Sequence, residues 1–402
     1  MQNDILKSIS HKINKFTGPE AEIVVYGTGA VADFLTHRVL SLIGRDVFCY
    51  LTTFDSGTYN EKPVYALEHC SDGFFKNKTV LLCSSYYPDI ETSLNGYAHV
   101  SYLNVFHDIN MFMIMEAFST RLEDKANLSK FFPASTTWRD GVSLERHIPE
   151  IRELFENPRE QGLYDILMAF RIDPNTSLHD VIDYVFNNFA MEDVSKQYAM
   201  YGNLENTKVI FDCGASTNVT GYYLSKLMPQ LQTIHAFEPL PDLHNRTGYS
   251  TAIKDRAELI EVPAGVWEFS AQADINVDTN GSGEGSSISL SQHYSNMEHR
   301  AIALVCLDDY VTENDAPYDF LKMDVEGAEL SALRGALKSI RKYRPMLAIS
   351  LYHSLNDMVE IPLYLSRELE NYSYRLGQHT LGFTETILYC IPCEMLHTQE
   401  QS

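Results

Sequence analysis

Three acidic residues, Asp212, Glu238 and Asp324, each close a short apolar run and stand at the lip of a turn. VIFD leads into Cys213-Gly214-Ala215-Ser216, HAFE into Pro239, and FLKMD into Val325-Glu326-Gly327-Ala328. Short apolar runs of this kind read as strands buried in a parallel sheet, and such sheets bind small molecules where a strand gives way to a helix. Small residues at Gly214 and Ala215 let the backbone approach a ligand, and N–H groups at the turn are donors for a carboxylate or a phosphate. Asp212 adds an acceptor for an ammonium group. An amino-acid-bearing cofactor therefore suits this turn better than a dinucleotide, whose pyrophosphate an anionic side chain repels. Glu238, twenty-six positions further on, is placed to accept hydrogen bonds from both hydroxyls of a ribose. Asp324 belongs to the same crevice. Glu329, in the first turn of the next helix, reads instead as a structural anion at the positive end of the helix dipole.

These acids can converge only if their strands share one sheet. The pattern predicts strands at 208–212, 233–237, 258–262, 320–324, 345–351, 374–376 and 386–391, with helices at 219–227, 241–252, 328–342 and 362–369. A Gly/Ser/Asn-rich stretch at 276–291 interrupts the rhythm as a hairpin or lid, its 282–287 tip reading equally as a flap over an acceptor or as an exposed hairpin tip. Earlier in the chain, residues 23–26 run into Gly27 and Gly29 and then a helix carrying Val31, Leu35, Val39 and Leu42, with further strands at 47–51, 79–83 and 100–105. Between the two halves, Ile148, Ile151, Leu154 and Phe155, and then Leu163, Ile166, Leu167 and Phe170, recur at helical spacing. The fold class is α/β. Two Rossmann-like parallel-sheet domains, 1–108 and 205–402, flank a helical connector at 109–204.

Composition narrows the partners. The 402 residues carry 54 acidic against 31 basic side chains, a net charge of −23 that repels a polyanion, so nucleic acid is not expected as a partner. No apolar run is long enough to cross a bilayer and the first residues lack a secretory core, so the expected setting is cytoplasmic, with no membrane partner. Seven scattered cysteines form no disulfide framework, and Cys390-x-x-Cys393 reads as a strand end.

The segments Asp212-Cys213-Gly214-Ala215, Phe237-Glu238-Pro239 and Lys322-Met323-Asp324-Val325-Glu326-Gly327-Ala328-Glu329, in this order and followed by Leu333, Gly335 and Ala336, resemble the FkbM family of methyltransferases over about residues 198–392. The resemblance implies a seven-stranded sheet with a final antiparallel strand, S-adenosylmethionine as cofactor, and O-methylation of a small molecule or glycan. It implies that Asp212, Gly214 and Ala215, with Ser216 beside them, face the methionine and ribose end, and that Glu238 and Pro239 hold the ribose. Ala264 and Gly265, in a turn after the third strand, line the adenine, and Asp324 lies beside the reacting methyl. Ser350 stands where many relatives carry an acid.

Methyl transfer from a sulfonium is an in-line displacement, and a hydroxyl acceptor gains from a general base. Asp324, Glu326 and His353 are the candidates. A metal-assisted version would use Asp324 and Glu326 as oxygen ligands, but two carboxylates are too few for a site, and no metal is assigned. The Gly27-Thr28-Gly29 turn sets up the alternatives: an NAD- or nucleotide-sugar-binding enzyme centred on the N-terminal domain, or a cofactor-binding module without turnover. Homo-oligomerisation stays open.

Overall fold

The computed structural model describes residues 2–54, 56–84, 87–105, 109, 137–189, 197–240, 242, 249–278, 297–380 and 382–396. The expected lid tip at 282–287 lies outside these residues. The chain divides into two compact units, one built mainly from residues 1–124 and the other mainly from 125–188, 196–379 and 383–402. Among the described residues, no helix is long and apolar enough to cross a membrane.

The first unit is a six-stranded sheet formed by β1 (Glu22–Tyr26), β2 (Val47–Thr52), β3 (Gly57–Tyr59), β4 (Lys62–Ala66), β5 (Lys78–Leu82) and β6 (Tyr102–Asn104), in the order β3-β4-β2-β1-β5-β6. All neighbours are parallel except β3 on β4. Gly27 follows β1 with φ +114°, and a Cβ there would sit 3.1 Å from the carbonyl oxygen of Cys83. Its small size thus lets the turn after β1 lie against the end of β5.

The second unit carries the predicted seven-stranded sheet. Its strands are β7 (Val209–Cys213), β8 (Thr233–Phe237), β9 (Glu258–Val262), β13 (Phe320–Met323), β14 (Met346–Ser350), β15 (Tyr372–Gln378) and β16 (Thr386–Pro392), in the order β15-β16-β14-β13-β7-β8-β9. β16 runs antiparallel to both β14 and β15, as the resemblance implies. Cys390 is buried within it and Cys393 is exposed just beyond, which fits a strand end. Strand positions agree with the sequence pattern to within two residues at each end.

Two local expectations fail. Ala264 and Gly265 lie not in a turn but in β10 (Ala264–Val266), which pairs in parallel with β12 (Met297–Val305) beside β11 (Ala271–Asp278) in a second, three-stranded sheet. Leu240, Ile275, Ile302 and Leu304, with Trp267 against them, give that sheet its own apolar cluster. The single helix expected at 328–342 is two, Glu329–Arg334 and Leu337–Tyr343. Asp308 caps the second by accepting from the N–H groups of Lys338 and Ser339, while the carbonyl of Trp267 occupies the place a Cβ on Gly335 would take.

The connector region holds helices Ile148–Arg152, Pro158–Ile172 and Leu178–Phe189; the second carries its predicted stripe, while Leu154 and Phe155 lie just beyond the first and the third has no predicted counterpart. Leu163, Leu167 and Phe170 are fully buried. Glu160, also buried, accepts from the Arg375 guanidinium at 2.9 Å, the Leu376 N–H at 3.0 Å and the Tyr201 hydroxyl at 3.1 Å, which ties its helix to β15.

Burial also sets an acid limit. His235 on β8 packs at a tilt against Phe211, lies 2.9 Å from the Tyr310 hydroxyl, and is pushed down to about 4 by burial. Its folded pKa is below the unfolded value, so below about pH 6.5 the unfolded chain takes up a proton that the folded chain refuses. Stability is full above that pH and falls as pH drops toward 4, by up to about 3 kcal/mol from this residue. His235→Phe is expected to show a Tm difference between pH 7 and pH 4.5 smaller than wild type by several degrees. An unchanged difference would assign acid sensitivity to other groups.

Candidate active site

The order β13-β7-β8 places Asp324, Asp212 and Glu238 at the carboxyl ends of three adjacent parallel strands. Lys322 pairs with Asp212 in register across β13 and β7, so both side chains leave the same face of the sheet. Lys322 Nζ lies 3.1 Å from Asp212 Oδ1 and donates to the carbonyl oxygen of Gly214 at 2.6 Å. Asp212 is wholly buried. The ammonium group anticipated as a ligand of Asp212 is thus supplied by the chain itself. Burial acts to lower the Lys322 pKa, but the charges of Asp212 and then Asp324 outweigh it and lift the group above its ordinary value.

The turn after β7 is equally self-contained. The N–H groups of Gly214 and Ala215 both donate to the Phe237 carbonyl, at 2.9 and 3.1 Å. That of Ser216 donates to Glu238 Oε2 at 2.9 Å. These donors, read from sequence as available to a ligand, are committed to β8 and its tip. Gly214 has φ +76°, and a Cβ there would fall 1.7 Å from the carbonyl oxygen of Asp324, so the glycine brings the turns after β7 and β13 together.

Glu238 is the hinge between two loops. Its Oε1 accepts from the Leu240 N–H and its Oε2 from the Ser216 N–H, both at 2.9 Å. Burial raises its pKa, against the two N–H bonds that stabilise the charge. Pro239 reaches Gly265: a Cβ on that glycine would sit 3.9 Å from the proline's own. Pro239 and Gly265 are therefore neighbours, which brings the segment after β8 close to β10.

Around Asp324 the structure adds residues the sequence did not single out. The Tyr198 hydroxyl donates to Oδ2 at 2.9 Å and the Tyr352 hydroxyl to Oδ1 at 3.2 Å, while Ser350 lies 3.4 Å from the Tyr198 hydroxyl. Burial would raise the Asp324 pKa, but Lys322, His353 and the Tyr198 bond together hold it below the usual carboxylate range. Both tyrosines are pushed well above their ordinary value, by burial first and by Asp324 second, and stay protonated as donors. Neither lies in a glycine turn or an acid motif. Tyr352 could have been noticed only as the neighbour of His353.

His353 stands among three carboxylates. Its Nε2 is 3.4 Å from Asp324 Oδ1 and 3.5 Å from Glu326 Oε2, and its Nδ1 is 3.0 Å from Glu329 Oε1. Burial opposes its charge, yet Glu329, Glu326 and Asp324 prevail and hold it well above its ordinary pKa. An imidazolium cannot accept a proton, so this charge state disfavours His353 as a base. Glu326 and Gly327, with φ +55° and +93°, form the turn, and Glu329 Oε1 accepts from the Val325 N–H at 2.8 Å. Glu329 thus has the structural role expected of it and also faces His353. Burial, and then the charge of Glu329, push nearby Asp357 up to about 7.

This sheet and its acid-bearing turns make up a methyltransferase domain. Residues 212–376 match the family model of the methyltransferase FkbM domain. Among solved structures, the chain is similar to a methyltransferase FkbM from Methylobacillus flagellatus KT, with 18% identity over 96% of this chain and 95% of that one and a TM-score of 0.45. It is also similar to a precorrin-6y C5,15-methyltransferase from Geobacter metallireducens GS-15 (12% identity, 49% of this chain and 82% of that one, TM-score 0.27). A third is a fibrillarin from Aeropyrum pernix in complex with natively bound S-adenosyl-L-methionine (9% identity, 46% and 67%, TM-score 0.28). No curated protein matches the chain.

Proposed function

We propose that the chain methylates a hydroxyl of a small molecule or glycan, with S-adenosylmethionine as methyl donor. The observation that carries this reading is Glu238. Its carboxylate is buried at the tip of β8, and each oxygen accepts one backbone N–H. Each therefore keeps a second lone pair, which suits a pair of ribose hydroxyls. Gly214, Ala215 and Ser216 on one side and Pro239 on the other border the same acid, with Ala264 and Gly265 of β10 beyond the proline; Asp212 acts through Lys322. When bound, the cofactor supplies an electrophilic methyl on a sulfonium.

The protein's task is then to position the acceptor and take its proton. Asp324, fixed by two tyrosine hydroxyls, is the group we assign to the acceptor hydroxyl. Its lowered pKa makes it a weak base before reaction. The acceptor oxygen becomes far more acidic as it is alkylated, so a weak carboxylate suffices. Glu326, on the same turn, is the alternative.

The test is thermal unfolding with S-adenosylhomocysteine, NAD and a UDP-sugar. A ligand at about 100 times its Kd adds about 2.7 kcal/mol to apparent stability. Only S-adenosylhomocysteine is expected to raise the Tm, and Glu238→Ala is expected to remove most of the shift. Glu238→Gln, which keeps one acceptor, controls for loss of the loop contacts. Equal shifts in wild type and Glu238→Ala would sink the assignment of the pocket.

A further inference from the structure

The group around His353 has a property that a self-sufficient ion cluster lacks. Asp324, Glu329 and His353 each offer a ligand atom, and these atoms lie within 4.8 Å of one another. The His353 side chain is only 8% exposed, and while Nδ1 pairs with Glu329 Oε1 at 3.0 Å, Nε2 makes no hydrogen bond; Glu329 is wholly buried and its Oε2 makes none. Asp324 and Glu326 stand 3.4 and 3.5 Å from Nε2, beyond ordinary N–H···O reach. Buried polar atoms are seldom left this way without a partner. Charge points in the same direction: three carboxylates face one imidazole, and the nearby Lys322 ammonium is already paired with Asp212.

We propose that Asp324, Glu329 and His353 bind one divalent first-row transition ion, with Glu326 at the rim as a further oxygen donor. Bonds of about 2.0–2.2 Å let one such ion bridge ligand atoms up to about 4.4 Å apart, so sub-ångström movements of the side chains close the site. One imidazole with carboxylates suits zinc, cobalt or manganese, whereas magnesium prefers an all-oxygen shell. The ligands come from the turn after β13, the helix that follows it, and the segment after β14, so the ion would join three elements at the sheet rim. The sequence supplied only two acids for such a site; His353 and the buried Glu329 are what the fold adds. The claim concerns binding and stands apart from methyl transfer, since a chain that ignores S-adenosylhomocysteine could still hold the ion.

The experiment uses the full chain, stripped with a chelator, desalted, and titrated calorimetrically with Zn²⁺ and, separately, with Co²⁺, whose visible absorption reports nitrogen and oxygen ligation. One equivalent is expected to bind at micromolar affinity or tighter, with Mg²⁺ at least tenfold weaker. His353→Gln and Asp324→Asn are each expected to weaken Co²⁺ binding at least 100-fold, and circular dichroism establishes which variants fold. If one unfolds, the other decides. If both unfold, the wild type's Co²⁺ spectrum decides, a spectrum of thiolate ligation counting against the site. Absence of saturable Zn²⁺ and Co²⁺ binding by the wild type, or unchanged affinity in a folded variant, overturns the proposal.

Discussion

Gly214→Ala is expected to cost more than about 4 kcal/mol and to leave the second unit without a cooperative unfolding transition. The left-handed φ of +76° accounts for only about 1–2 kcal/mol of this. The remainder is collision, because the new methyl would sit 1.7 Å from the carbonyl oxygen of Asp324. That oxygen cannot move freely. The Asp324 N–H is bonded to the Cys213 carbonyl at 3.0 Å and the Gly214 N–H to Phe237, so relief for one turn breaks the ladder that holds the other. Gly29, whose Cβ position is open space, serves as the control for a glycine-to-alanine change. Urea unfolding followed by circular dichroism checks the expectation; a Gly214→Ala variant within about 1 kcal/mol of wild type would refute it.

Lys322→Met is expected to be nearly as severe, costing about 3–5 kcal/mol, because it leaves a fully buried Asp212 carboxylate without its counter-charge. The loss also frees the Gly214 carbonyl from its 2.6 Å bond. Adding Asp212→Leu to Lys322→Met removes the stranded charge and is expected to recover most of the stability. A double variant that refolds and still responds to S-adenosylhomocysteine would show that the ion pair serves the fold and not the cofactor. Denaturant unfolding of the two single variants and the double one gives the coupling directly. A Lys322→Met variant as stable as wild type would remove the ion pair from any structural account.

The framework was legible because it depends on local pattern. Apolar runs ending in Asp212, Glu238 and Asp324 gave the strands, and their common parallel direction gave a shared rim. Partnership was less legible. Lys322 alternates correctly within its strand, but nothing in its own neighbourhood shows that it lies in register with Asp212, more than a hundred residues earlier. Tyr198 meets Asp324 across a similar gap. The N–H groups after β7 looked available because their acceptor, the Phe237 carbonyl, belongs to another strand. The break at Gly335 was hidden for the same reason, since Asp308 and Trp267 enforce it from outside the helix. Sequence spacing reports which residues share an element, whereas charge compensation is decided between elements.

The position of β16 bears on how the polypeptide is made. β15 reaches β14 only through β16, and β16 is the last of the seven strands in chain order. Until β16 emerges, β15 lacks its partner in the sheet, and the Phe155–Tyr374 bridge and the Glu160 bonds are the contacts that can hold it. Closure of this edge must follow emergence of residue 392 from the ribosome, so the β15–β16 hairpin joins this sheet last.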